Sequence, residues 1–144
     1  MGLTLREKAS ALQQRDVFLG GPIDIFHEAG QKVLTILLSE GMTPASKLLE
    51  IGCGCLRCGY WLISILEEDN YFGIEPNTHM LQAGQEIMLS ENTFKFKKPR
   101  FDNNDQFDLN VFDEKFDFFY SSINLGAHLK ISDKKNAGRV YQCL

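Results

Sequence analysis

Residues 48 to 59 read Leu-Leu-Glu-Ile-Gly-Cys-Gly-Cys-Leu-Arg-Cys-Gly, and no other stretch restricts the fold of this chain as much. A short apolar run carries one acid, Glu50, and then meets two glycines, Gly52 and Gly54. A helix-compatible segment follows, roughly Arg57 to Glu67, and a second apolar run, Tyr71-Phe72-Gly73-Ile74, ends in another acid, Glu75. Strand, glycine bend, helix and a strand closing on a carboxylate make a βαβ unit of the kind that holds a nucleoside. The two glycines let the backbone turn sharply and let a ligand approach with no Cβ in the way. The helix behind them directs free N–H groups at that place. Glu75 falls at the carboxyl edge of the sheet, where open α/β sheets bind ligands, and a carboxylate there can accept from both hydroxyls of a ribose.

The dinucleotide fingerprint requires a third glycine three places after the second, and that place holds Arg57. No Gly-Lys-Ser/Thr run exists to form a phosphate loop. What remains is an acid-x-Gly-x-Gly bend, whose carboxylate repels a pyrophosphate and accommodates an ammonium or a sulfonium.

These residues resemble motif I of the class I S-adenosylmethionine-dependent methyltransferases. The resemblance extends to a bacterial group with a GCGxLRxG loop and a YFGIEPN second strand. It rests here on Gly52-Cys53-Gly54-Cys55-Leu56-Arg57-Cys58-Gly59 and Tyr71-Phe72-Gly73-Ile74-Glu75-Pro76-Asn77. Upstream, the stretch from Gly20 to Gly30 is similar to the leading helix of that group. Downstream, Phe116 to Ser122 is similar to its fourth strand and His128-Leu129 to the segment after it, so the likeness covers roughly residues 18 to 130.

Composition sets outer bounds. The chain has 144 residues, 44% of them hydrophobic, enough for one domain with a core. A net charge of −4 argues against a general nucleic-acid binder. No apolar run approaches the ~20 residues of a membrane-spanning helix, and the first residues carry neither a signal-peptide core nor a myristoylation pattern, so a cytoplasmic location is expected. Cys53, Cys55 and Cys58 cluster while Cys143 is remote. Cys55-x-x-Cys58 lacks the second ligand pair of a zinc site, so small reduced thiols filling a tight loop are expected, and no metal.

The coarse reading is a polar helix over residues 3–15, a break at Gly20-Gly21-Pro22, and a helix capped by Asp24 that ends at Gly41. Strands are expected at 47–51, 71–75, 100–103 and 116–121, and a last helix from about Ser132 or Asp133 to the C-terminus. Trp61, Leu62, Ile65 and Leu66 form the expected core face of the second helix. Asn77 or Thr78 caps the third, which carries Met80, Leu81, Gly84, Ile87 and Met88. Helices between short apolar strands predict an α/β, Rossmann-like three-layer αβα fold, with a parallel sheet in the order 3-2-1-4. Residues 1–22 read as an N-terminal helical extension and 23–144 as a partial methyltransferase domain. The family core has seven strands, and four are legible. Strand four is then expected as an exposed edge, prone to self-association, and the chain as a truncated product.

The resemblance assigns the cofactor, S-adenosyl-L-methionine, to Glu50, Gly52, Cys53, Gly54, Arg57, Glu75, Pro76, Asn77, Asp105 and Ser121. Glu50 faces the ligand amino group or caps the following helix. Arg57 meets the ligand carboxylate or a nearby acid. Asn77 touches ribose or adenine, or only caps. Asp105 is the adenine contact implied by the resemblance, with Asp108 competing for that role and a solvated acidic loop as the plain alternative. Ser121 and Ser122 would lie beside the methionine end. His128 and His27 are the candidate bases, the latter with Glu28, although an activated sulfonium can react through positioning alone. The basic stretch Lys95, Lys97, Lys98 and Arg100 suits a phosphate, or a half-exposed strand or solvated loop. The expected activity is methyl transfer to an unidentified, small-molecule acceptor. A nicotinamide-dependent dehydrogenase and a non-catalytic, partner-binding remnant are the rivals.

Overall fold

The computed structural model describes residues 2–123 and 140–142. Its elements run α1 (Leu5–Gln14), α2 (Phe26–Ser39), β1 (Leu48–Ile51), α3 (Gly59–Ile65), β2 (Tyr71–Ile74), α4 (Thr78–Met88), α5 (Glu91–Lys97), β3 (Arg100–Asp102), β4 (Phe118–Ser121) and β5 (Val140–Gln142). The sheet is parallel in the order β3-β2-β1-β4-β5. The expected 3-2-1-4 core is therefore present. Strand four is not its edge, because β5 pairs beside it, Tyr120 opposite Tyr141. That pairing also corrects the expected C-terminal helix: residues 140–142 form strand, and residues 132–139 lie outside the described residues.

Alternation along the strands sorts the side chains into two layers. Leu48, Tyr71 and Tyr120 face a large apolar cluster built with Leu12 of α1, Val33 and Leu37 of α2, Leu62 of α3 and Leu81 of α4. Leu49, Ile51, Phe72, Ile74 and Phe119 face the other way, onto Leu109 and Phe116. Among the described residues that second layer is no helix. It is the connection from β3 to β4, which carries a 3-10 turn (Leu109–Phe112) and stacks Phe112 and Phe116 edge-on against Phe72 at 5.2 and 4.9 Å.

Local chemistry explains the helix ends. Thr4 and Glu7 close a capping box on α1, Asn77 accepts from the Met80 amide to start α4, and Ser90 accepts from the Thr93 amide to start α5. Asp24 caps nothing: it sits in a 3-10 turn (Ile23–Ile25) before α2 and pairs with Arg6 on the surface. α3 begins at Gly59 rather than Arg57, because Leu56 turns left-handed at φ +67° before the helix can start. A Cβ at Gly59 would stand 2.7 Å from the Tyr71 hydroxyl, so the helix lies against the sheet there. That phase buries Leu62, Ile63 and Leu66 and leaves Ile65 37% exposed, which corrects the expected face. The basic stretch divides between the end of α5, which holds Lys95 and Lys97, its C-cap Lys98, and β3, which begins at Arg100, and most of its charges are engaged. Lys97 donates to the Ser64 and Leu66 carbonyls, Lys98 pairs with Glu68 and Arg100 with Glu114.

Candidate nucleoside-binding site

The site forms where β1 ends. Gly52 and Cys53 both donate their amides to the Ile74 carbonyl, at 2.8 and 3.0 Å, which hinges the bend on β2. Gly52 and Gly54 have φ of +74° and +56°, a region costly for side chains with a Cβ. A Cβ at Gly54 would meet only Met80 Sδ at 3.4 Å and Glu75 Oε1 at 4.0 Å, so this face of the bend stands open.

Glu75, directly after β2, is held in place by backbone. Its Oε1 accepts from the Gly54 amide at 3.0 Å and its Oε2 from the Asn77 amide at 2.9 Å. The carboxylate is thereby fixed across the mouth of the bend, half-buried, with lone pairs left for further donors.

Glu50 is set deeper, 1% exposed on β1. The Tyr71 hydroxyl donates to its Oε2 at 2.5 Å. Burial pushes this carboxyl up to about 8, against the pull of the Tyr71 hydrogen bond and the nearby Arg57, and with a further push from Glu75. Arg57 lies under the Gly20–Gly21 backbone: a Cβ at Gly20 would come within 3.2 Å of its Nη2 and one at Gly21 within 3.3 Å of its Nη1. Among the described residues Arg57 forms no ion pair within 4 Å. The side chains of Cys53, Cys55 and Cys58 are all buried. Burial raises the Cys53 thiol well above its usual range and Cys55 to about 11, so both stay protonated. No group of metal-ligating side chains occurs among the described residues.

Together these residues line a cleft of about 280 Å³ over the carboxyl ends of the strands. It contains Glu50, Gly52, Cys53, Gly54, Arg57 and Glu75 of the residues anticipated from sequence. Pro76 and Asn77 stand beside it, Asn77 as cap of α4. Ser121 is buried beneath it and hydrogen-bonds the Ile51 and Ile123 carbonyls at 3.3 and 2.9 Å, while Ser122 forms the wall. Asp105 is exposed and outside the cleft, and among the described residues it accepts only from the Gln106 side chain. Asp108 caps the 3-10 turn at Leu109–Phe112. His27 is also outside, in a small pocket with Leu5, Arg6 and Phe26 on another side of α2. His128 lies outside the described residues.

Three contributions escape the sequence reading. Phe18 and Leu19 form an apolar strap at the cleft mouth, Met80 closes one side and Ile123 the other. Gly20-Gly21-Pro22 signalled the strap only as a helix break, and Met80 is indistinguishable by periodicity from a core residue. A wider depression of about 540 Å³ at the amino ends of the strands lacks comparable convergence, since Lys47 and Glu114 on its wall are paired with each other at 2.7 Å.

No family profile matches the chain, and no curated protein matches it. Solved structures do. Magnesium protoporphyrin IX methyltransferase from Synechocystis PCC 6803 with bound S-adenosylmethionine aligns at a TM-score of 0.56 and 17% identity, over 90% of this chain and 66% of that one. A candidate RNA methyltransferase from Pyrococcus horikoshii aligns at 0.55 and 18%, over 99% and 72%. Phosphoethanolamine N-methyltransferase 1 from Haemonchus contortus, in complex with phosphoethanolamine and S-adenosylhomocysteine, aligns at 0.52 and 12%, over 85% and 27%. The chain thus has the class I methyltransferase fold and spans less than two thirds of the Synechocystis and Haemonchus chains it matches.

Proposed function

We propose that the chain binds S-adenosylmethionine in this cleft and serves methyl transfer to a small acceptor molecule. One observation carries the reading. The backbone bend at Gly52–Gly54 is flanked by two carboxyl side chains, one of them pinned to the Gly54 amide, and by an arginine without an ion pair among the described residues.

The residues present fit that cofactor better than a dinucleotide. A pyrophosphate would be repelled by the Glu75 carboxylate beside the bend. A ribose finds an acceptor in Glu75, and an aminoacyl end finds Arg57 for its carboxylate and Glu50 for its ammonium. Met80, Leu19 and Ile123 supply apolar walls that would exclude water from a bound cofactor. When bound, the cofactor supplies a methyl group already activated by positive charge on sulfur. The protein's part is then to bind, orient and exclude water. Among the described residues the cleft holds no histidine, so no side-chain base is assigned to the reaction. Three buried cysteines clustered at the site suit a reducing compartment, and we place the chain in the cytoplasm.

Titration calorimetry tests the reading directly. S-adenosylhomocysteine is expected to bind with one-to-one stoichiometry and NAD not to bind. The reverse would support the dehydrogenase, and silence with both ligands the non-catalytic remnant.

A further inference from the structure

We propose that Glu50 reads the charge of the ligand's aminoacyl end: its carboxyl gives a proton to solvent when an ammonium is seated beside it, and keeps that proton when the ligand has none. The proposal rests on the nucleoside reading of the cleft and adds a proton to its binding equilibrium.

The geometry separates the two carboxyl oxygens. Oε2 receives the Tyr71 hydroxyl proton at 2.5 Å. Oε1 has no hydrogen-bond partner among the described residues, and Glu50 forms part of the cleft wall. The hydroxyl hydrogen of the neutral acid therefore belongs on Oε1, toward the ligand. An ammonium N–H arriving there needs an acceptor, and a protonated carboxyl offers it a donor on the same oxygen. Seating the cation breaks the Oε1–H bond. The proton passes to buffer through the cleft, and the carboxylate left behind is compensated by the ammonium.

The charged and titratable neighbours support this balance. Tyr71 on β2, with its hydroxyl held neutral by burial, stays a donor to Glu50 in either state. Glu75 at the end of β2 opposes ionisation of Glu50 and Arg57 assists it. The Cys53, Cys55 and Cys58 thiols on the loop are buried. On β4, Tyr120 lies opposite Glu50 in register. Of the helices on this face, α2 brings Glu28 and Lys32 to a groove beside Tyr120, and α3 brings Tyr60, half-buried. None of the described cations stands within 4 Å of Glu50, so the ligand's ammonium would be its first close counter-charge.

The test is calorimetry of the full chain at pH 7 in buffers of different ionisation heat, with S-adenosylhomocysteine and with 5′-methylthioadenosine, which lacks the aminoacyl end. Proton release is expected to be roughly one per S-adenosylhomocysteine bound and near zero for methylthioadenosine. Affinity for S-adenosylhomocysteine should rise by up to about tenfold per pH unit between pH 6 and 8. In Glu50→Gln the release and the pH dependence should both vanish. Binding of S-adenosylhomocysteine without proton release, or equal release with both ligands, overturns the proposal while leaving the nucleoside reading intact. If neither ligand binds, the nucleoside reading fails and the proposal fails with it. The two-ligand comparison on the unmodified chain stands even if the Gln variant does not fold.

Discussion

Glu75 does two jobs with one side chain: it braces Gly54 and Asn77 through their amides and leaves acceptor capacity at the cleft. Hydrogen bonds to a charged group contribute roughly 1.5–3 kcal/mol. Glu75→Ala is therefore expected to weaken S-adenosylhomocysteine about 10- to 100-fold, measured by calorimetry. An unchanged dissociation constant would remove the site from this end of the sheet. Asp105→Ala supplies the contrast. The resemblance implied an adenine contact, yet the side chain is exposed and outside the cleft, and its loss should leave affinity unaltered. Glu50 carries a different signature. Its folded pKa, about 8, lies above the ordinary carboxylate value of 4.5, so the folded state holds a proton that the unfolded chain has released. Its stabilising effect is complete below pH 4.5 and is lost as pH rises to 8, with a slope of at most about 1.4 kcal/mol per pH unit. Chemical denaturation from pH 5 to 8 should show stability falling in the native sequence and a shallower profile in Glu50→Gln. Equal slopes would mean that Glu50 is ionised in the fold.

At the scale of elements, the binding bend is clamped from behind by α4. A Cβ at Gly84 would lie 2.7 Å from both the backbone carbon and oxygen of Cys55, too close to be absorbed without moving the loop. Gly84→Ala should cost roughly 1–3 kcal/mol by overpacking, seen as a lowered thermal midpoint, and should weaken nucleoside binding in the same protein. A variant with full stability would show that helix and loop are free of each other. The same scale explains what could be read from sequence. The Gly52–Gly54 bend, the acid after β2, the Asn77 cap and the strand order follow from local backbone demands, which leave marks in residue type. The phase of α3 was not legible, because Leu56 and Gly59 decide it through tertiary contacts with β2. Nor was α5, whose alternating Phe94-Lys95-Phe96-Lys97 pattern mimics a strand until Ser90 caps a helix. The strap at Phe18 and Leu19 reads as a mere break, since an apolar residue says nothing of the cleft that it will border.

Across the whole molecule, the sheet places a fully buried central strand under its functional bend. β1 is paired on both sides, and Leu48, Leu49 and Ile51 are fully buried with Glu50 nearly so. The strap above the cleft, by contrast, keeps Phe18 72% exposed, and among the described residues the amides of residues 18–21 donate no backbone hydrogen bond. Local opening draws on regions with few buried apolar contacts, whereas central strands open only with the whole domain. Amide exchange followed by mass spectrometry should thus leave 48–51 among the slowest segments and 18–21 among the fastest, and comparable rates would contradict this ordering. The acids and the glycine bend are bolted to the keel of the molecule, so a guest can come and go without the seat losing its shape.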